Sequence, residues 1–244
     1  MEKFYSKDLA YIHDSGHGEF AKKSSVGLIR IFKKFLANNS HILDLGCGSG
    51  ILEKELLKSG YKVTGIDYSA DMIEIAKENA PEAEYLTGSF FDLDFPSCDA
   101  VVSIGECLNY LFDEKNSLET LEKLFKKVFK ALKPGGIFLF DFLEPGQLGE
   151  LNIQNRISEG EDWFIFNNVT EDKETGIFTR SLTIFRKVGE LYNKSKEIHR
   201  VQLYSRKDIS GLLENSGFKV SGLNGYGDFV FKGKHIGFFA EKLN

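Results

Sequence analysis

Cysteine, proline and tryptophan are scarce in this chain of 244 residues, with three, four and one respectively. The cysteines, Cys47, Cys98 and Cys107, are odd in number and lack paired spacing, so no disulfide framework is implied. They fit a reducing compartment. An excess of basic residues is lacking too. The net charge is −5 and the pI about 5.7, the reverse of the basic footprint that a nucleic-acid binder usually carries. No apolar run approaches the ~20 residues that cross a bilayer. The opening Met1-Glu2-Lys3-Phe4-Tyr5-Ser6 lacks the basic-then-apolar pattern of a signal peptide. The expectation is a cytoplasmic protein with no membrane partner and with nucleic acid disfavoured. Internal repeats and low-complexity segments are missing as well. What remains, 42% hydrophobic and 27% charged, reads as one α/β domain with an elaboration.

Strand, turn and helix alternate along the first part. Helical spacing from Ser24 takes in Val26, Ile29, Ile31, Phe32, Phe35 and Leu36, with Lys33 and Lys34 on the other side. His41 to Leu45 is a short apolar run that ends in glycines, as a buried parallel strand does. Helix follows over Ile51 to Ser59, strand over Lys62 to Ile66 and helix over Ala70 to Asn79. Ala83 to Leu86 and Ala100 to Ile104 read as strands, and residues 116–132 as a long helix stopped by Lys133-Pro134-Gly135-Gly136. Ile137 to Phe142 is the next strand. This order predicts a doubly wound, mostly parallel sheet with helices on both faces. After Pro145 the runs Trp163 to Phe166, Ile177 to Val188 and Ile198 to Tyr204 lack intervening helices and should pair antiparallel. A helix at Arg206–Asn215 and strands near Phe218–Leu223 and His235–Lys242 close the chain.

The informative stretch is Ile42-Leu43-Asp44-Leu45-Gly46-Cys47-Gly48-Ser49-Gly50. Glycines at 46, 48 and 50 clear side chains from a strand-to-helix turn, where a ligand would lie against bare backbone. The spacing is G-x-G-x-G behind Asp44, whereas dinucleotide folds carry G-x-G-x-x-G to admit a pyrophosphate. A carboxylate beside the loop suits an ammonium better than a phosphate. About 20 residues further on, the next strand ends in Gly65-Ile66-Asp67, where an acid takes both hydroxyls of a ribose.

Together with Gly65-Ile66-Asp67-Tyr68-Ser69, Cys98–Ile104 and Leu132-Lys133-Pro134-Gly135-Gly136, this turn resembles the successive motifs of class I S-adenosylmethionine-dependent methyltransferases. Tyr204-Ser205-Arg206 and Leu212 to Phe218 resemble the family's lead into its sixth strand, and Leu9 to Asp14 the opening of a group of such enzymes. The resemblance implies a seven-stranded Rossmann-like domain over residues 1–145 and 204–244, with residues 1–38 as an N-terminal helical lid. It makes residues 146–203 an antiparallel β insert covering the active site. S-adenosylmethionine is then the implied cofactor. Asp44 and the backbone of Gly46, Cys47, Gly48 and Gly50 would hold its methionine end, and Asp67 its ribose. Tyr68 and Met72 would flank the adenine, and Ile104 and Gly105 would complete the wall. Family members often place Gly-Asp after the third strand, whereas this chain has Gly88-Ser89-Phe90. Ser89 and Phe90 are therefore the candidates there, with Asp92 as the alternative to the Ser89 hydroxyl.

A sulfonium methylates readily, so the protein mainly aligns the reactants, and a general base is needed only for an acceptor that must lose a proton early. Glu106 and Tyr110, after the fourth strand, are candidates to steer the acceptor. Their plainer readings are a solvated helix start and a core aromatic. Asp141 and Glu144 face the same edge. Tyr11 and His13, with Tyr5, are assigned to a lid over the cofactor, and His13 also joins the catalytic candidates. His13 and His17 have a metal-ligand spacing of four residues, yet Gly16 and Gly18 oppose a regular helix and no metal is expected. His199 reads as a surface histidine, Cys47 and Cys107 as packing cysteines, and the insert's aromatics mostly as core.

The Pro-Pro-Tyr run of amino-methylating DNA enzymes and the Pro-Cys nucleophile of cytosine enzymes are both missing. The expected partner is a small-molecule acceptor methylated on nitrogen or oxygen, with the chain a monomer or homodimer. A protein or RNA substrate, a non-catalytic S-adenosylmethionine binder and a nicotinamide oxidoreductase stay open.

Overall fold

Strands β1 (His41–Leu45) and β4 (Cys98–Ser103) are buried along almost their whole length. A strand hidden on both faces needs cover on both, and this sets the layers of the fold. In the computed structural model, which describes residues 4–113, 115–151 and 153–243, both lie at the centre of a seven-stranded sheet. Part of the expected lid, Met1–Lys3, falls outside the described residues. The strand order is β10-β13-β5-β4-β1-β2-β3. Here β2 is Lys62–Asp67, β3 Glu84–Thr87, β5 Leu132–Leu143, β10 Lys219–Leu223 and β13 His235–Glu241. β1 to β5 run parallel, and β13 enters antiparallel between β5 and β10.

Alternation along β5 shows how the faces divide. Phe138, Phe140 and Phe142 join Leu121, Phe125 and Val128 of helix α5 (Leu118–Ala131) and Ile209 and Leu213 of α6 (Arg206–Asn215). Ile137 and Leu139 pack on the other side with Leu28 and Phe32 of α2 (Glu19–Phe35) and Leu52 and Leu56 of α3 (Ile51–Lys58). Period two on the strand meets period 3.6 on the helices. Serine N-caps start three helices: Ser69 for α4 (Ala70–Asn79), Ser117 for α5 and Ser205 for α6, each side chain accepting an amide hydrogen of the first turn.

A second sheet has the order β6-β7-β8-β9, all antiparallel, formed by Ile153–Glu159, Trp163–Asp172, Ile177–Val188 and Leu191–Gln202. β6 was not expected. Its burial pattern is almost wholly exposed, so no apolar alternation marks it. The N-terminal segment is more helical than its glycines imply. α1 (Lys7–Ile12) runs into a π-helical turn at His13–His17, and Gly18 leads into α2.

The buried face of α2 is a correction. Val26 and Phe35, expected inside, are 54% and 47% exposed, whereas Ser24, Ser25 and Gly27 are buried. The reason is a short hairpin, β11 (Gly225–Tyr226) and β12 (Phe229–Val230), whose backbone lies against α2 at Gly27. A Cβ at residue 27 would collide with the carbonyl of Tyr226, and only glycine allows so close an approach. Gly27→Ala is therefore expected to lower the unfolding free energy by about 1–3 kcal/mol, the usual cost of overpacking. Urea melts of the two proteins check this, and equal midpoints would show that helix and hairpin are not in contact.

Candidate active site

The sheet order reverses between β1 and β4, and open α/β sheets bind ligands at the carboxyl ends of strands beside such a point. A cavity of about 460 Å³ lies there. One end is built by the glycine turn. The amides of Gly46 and Cys47 donate to the Ile66 carbonyl at 2.7 and 3.0 Å, tying the end of β1 to that of β2. Gly48 has a φ of +55°, and a Cβ there would meet nothing within 4 Å, so its backbone faces open space. Asp67 braces the turn from β2, accepting from the Gly48 amide at 2.9 Å and the Ser69 amide at 2.8 Å. Burial raises its carboxyl, and these amides pull it back down.

Asp44, 1% exposed, closes this end, and its Oδ1 has no hydrogen-bond partner. Burial pushes its carboxyl up to about 7. Met72 and Tyr68 line the next stretch, with Ser89, Phe90 and Phe91 beyond. Ser89 Oγ donates to Asp113 Oδ2 at 2.6 Å and accepts from the Phe91 amide at 3.1 Å. Asp92 does not line the cavity; it pairs with Lys115 at 2.7 Å. The acid beside Ser89 is thus Asp113, from a loop about 24 residues later, and no local spacing marks it.

The other end centres on Glu106 and Tyr110. Asp141, fully buried on β5, accepts from the Gly105 amide at 3.0 Å, the Glu106 amide at 2.8 Å and Tyr226 Oη at 3.0 Å. His235 Nε2 lies 2.6 Å from the same carboxylate. These bonds hold Gly105 and Glu106 at φ values of 80° and 61°, so the chain turns back into the cavity after Ile104. Glu106 then pairs with Arg180 of β8 at 2.6 Å. Arg180 also donates to Tyr110 Oη at 3.2 Å, and that oxygen sits 3.0 Å from Tyr5 Oη. Burial raises both tyrosines well above the usual phenol range. Asn109 clamps the loop to β5, donating to the Leu143 carbonyl and accepting from its amide.

His13 lines the cavity from the π-helical turn, 5.3 Å from the Tyr5 ring. Burial, with His17 nearby, lowers it to about 4, and its Nδ1 has no partner. Among the described residues no group of three or more candidate metal ligands forms.

Of the residues singled out from sequence, Asp44, Gly46, Cys47, Gly48, Asp67, Tyr68, Met72, Ser89, Phe90, Ile104, Gly105, Glu106, Tyr110 and His13 line this one cavity. Tyr11 and Gly50 do not. Tyr11 turns toward the second sheet, its hydroxyl donating to Asp162 at 2.8 Å and its ring under the Arg186 guanidinium at 3.7 Å. Gly50 starts α3, where a Cβ would stand 2.9 Å from Ala76 Cα of α4. His199 is also corrected: it is 2% exposed, not a surface residue, and is bonded to Glu197 at 2.8 Å. Glu197 accepts the amides of Tyr5 at 2.8 Å and Ser6 at 2.9 Å, which fastens the N-terminal segment to β9. Arg180, Asp113 and Glu197 escaped the sequence reading because tertiary contact alone brings them here.

The geometry generates a prediction at Asp141. Burial lowers His235, but its bond to Asp141 and that charge raise it above the ordinary 6.5. The pair's stabilisation is full below that value and fades as pH rises through the raised one. Asp141→Asn is expected to cost about 3 kcal/mol, as breaking a buried ion pair does, with a larger deficit at pH 6 than at pH 9. Urea melts at both values measure it, and a pH-independent deficit would detach His235 from the effect.

Comparison with known proteins agrees with this geometry. A family model described as a methyltransferase domain matches residues 42–136. A protein of Geobacillus sp. (strain WCH70), named as a methyltransferase, is 31% identical over 189 residues, covering 73% of this chain and 74% of that protein. A ubiquinone biosynthesis O-methyltransferase of Hydrogenovibrio crunogenus is 29% identical, covering 80% and 84%. Among solved structures, an S-adenosylmethionine-dependent methyltransferase from Clostridium acetobutylicum shares the fold with a TM-score of 0.82, at 20% identity over 97% of this chain and 98% of that one. No helix among the described residues is long and apolar enough to cross a membrane. Glycine turn, strand-end acids, sheet order and relatives agree: the chain belongs to the class I S-adenosylmethionine-dependent methyltransferases.

Proposed function

We propose that the chain transfers the methyl group to a nitrogen or oxygen atom of a small-molecule acceptor. One observation carries this reading: the cavity end opposite the glycine turn is a linked polar cluster, Glu106–Arg180–Tyr110–Tyr5, walled by Phe112 and Phe178. Small-molecule sites typically span ~300–1,000 Å³. A cavity of about 460 Å³ that must hold cofactor and acceptor together suits a compact acceptor. The Hydrogenovibrio relative, by its name, methylates oxygen in ubiquinone biosynthesis, which supports acceptors of this class.

S-adenosylmethionine, when bound, supplies a methyl group activated on a sulfonium. The residues present fit it. Asp44 offers an unpartnered buried oxygen to an ammonium, and Gly48 offers bare backbone. Asp67 would take the ribose, Tyr68 and Met72 would flank the adenine, and the Ser89–Asp113 pair would meet the adenine amino group. At the acceptor end Arg180 fixes Glu106, which would steer a cationic amine or take its proton. Tyr110 would orient the acceptor, and His13, neutral at ordinary pH, would accept a hydrogen bond from it. Orientation of this kind lowers barriers by ~7–11 kcal/mol. The N-terminal segment and the second sheet act as lid and roof. Tyr5, Arg156, Phe178 and Arg180 all line the cavity from those two parts.

Incubation with labelled S-adenosylmethionine and a panel of small amines, phenols and amino sugars tests the proposal. Formation of S-adenosylhomocysteine with a small molecule is expected, and turnover confined to protein or RNA fractions would overturn it. Asp67→Ala should weaken cofactor binding by about tenfold or more in calorimetry while the protein stays folded, since a bidentate acceptor is lost. Glu106→Gln should leave cofactor affinity unchanged and cut turnover, and equal turnover would return Glu106 to a purely structural role.

A further inference from the structure

Behind the glycine turn stands a carboxyl group that the proposed reaction does not use. Glu53, in the first turn of α3, is 0% exposed, and neither of its carboxylate oxygens has a partner. Asp44 Oδ1, at the end of β1, is in the same condition. Two ionised carboxylates have no hydrogen to exchange. A single proton between them gives both a partner, and the two side chains are within hydrogen-bonding reach of one another. The groups that face the pair are Asp67 from β2, Cys47 from the glycine turn and Tyr85 from β3, with Asp141 of β5, Cys107 after β4 and Tyr226 of the β11–β12 hairpin also facing Asp44. None of them is a cation. Among the described residues Asp44, Glu53 and Asp67 enter no ion pair, whereas Asp99 on the neighbouring β4 has Lys133 at 2.8 Å. The site lacks a positive charge and has one proton's worth of room for it.

We propose that Asp44 and Glu53 share one proton in the cofactor-free protein and release it to solvent when the ammonium of the methionine end seats against Asp44. The one bond that breaks is the carboxyl O–H, whose electron pair stays on the carboxylate. The ammonium replaces the proton as the counter-charge, and the proton passes to the buffer. Glu53 is a positioning residue that acts through Asp44, holding a proton that offsets one of the pair's two negative charges until an arriving cation displaces it. Burial raises both carboxyls above the usual carboxylate range; the charge of Asp44 and its hydrogen bond push Glu53 further up, while the bond from Glu53 draws Asp44 partly back against the charges of Asp67 and Asp141. Cofactor-free folded protein therefore holds more protons than the unfolded chain between the ordinary 3.8 of an aspartate and about 7. Its stability falls as pH rises through that window, while affinity for the cationic ligand rises, because fewer protons must leave.

Calorimetric titration with S-adenosylhomocysteine at pH 6.5, in PIPES and in imidazole, reads the released proton as a buffer-dependent enthalpy. Wild-type protein should show that dependence and gain affinity by up to about tenfold per pH unit below the pair's titration. Glu53→Gln should weaken the buffer dependence and flatten the pH profile, leaving what the burial of Asp44 and Asp67 alone contributes. Equal wild-type enthalpies in the two buffers overturn the proposal without recourse to any variant, and so does an undiminished dependence in Glu53→Gln. Thermal melting gives a second reading. Cofactor-free Glu53→Gln should melt above wild type at pH 8 and level with it at pH 5. A variant that melts below wild type at both values makes Glu53 a structural acid and sinks the idea.

Discussion

One buried carboxylate joins the parts on which the acceptor end depends. Asp141 sits fully buried near the end of β5, and four donors from three places in the chain converge on it. The loop after β4 gives two amides, the β11–β12 hairpin a tyrosine hydroxyl, and β13 a histidine ring. A buried charge without partners costs several kcal/mol, so each donor is held as firmly as the carboxylate is buried. The left-handed turn at Gly105 and Glu106 persists because it delivers two amides to this acceptor. Tyr226, in reaching it, lays its hairpin on α2 at Gly27. A contact at the strand end thus sets the helix packing on one face of the sheet and the direction in which Glu106 points.

The two ends of the cavity differ in how they treat charge. At the acceptor end Glu106 is answered by Arg180 inside the protein, and two tyrosine hydroxyls complete the set. At the cofactor end Asp44, Glu53 and Asp67 stand together without a cation: backbone amides answer Asp67, and Asp44 and Glu53 have only each other. Self-pairing makes the first end rigid before any ligand arrives. The second end is preorganised for a positive group: its carboxyls are already in place, and only the shared proton has to leave when that group arrives.

Legibility in the sequence followed the distance over which each feature is determined. The parallel strands and the glycine turn are local: apolar runs, and bare backbone behind an acid. α6 was read at its observed limits, Arg206–Asn215, because Ser205 and Ser216-Gly217 mark both ends. The buried face of α2 was misread because Gly27 and Ser24 carry no hydrophobic signal and are buried by a hairpin about 200 residues away. β6 was missed because its side chains are mostly exposed. Arg180 and Asp113 line the cavity through sheet register and loop placement, which no spacing rule encodes. Tyr11 was placed correctly in the N-terminal segment, but its partners lie on β8 and the β6–β7 turn, and they draw it off the cavity.

The bond between Glu197 and the amides of Tyr5 and Ser6 has a consequence for the order of assembly. It joins positions 192 apart in the chain, and the acceptor end also needs Tyr226 and His235. A nascent chain that has completed β1 to β5 therefore carries the glycine turn and Asp67 but has neither roof nor fastened strap. Long-range closures of this kind come late, since loop entropy must be overcome before the contact forms. During synthesis the half of the pocket built on the glycine turn and Asp67 is therefore complete before the half closed by Arg180, Tyr226 and His235.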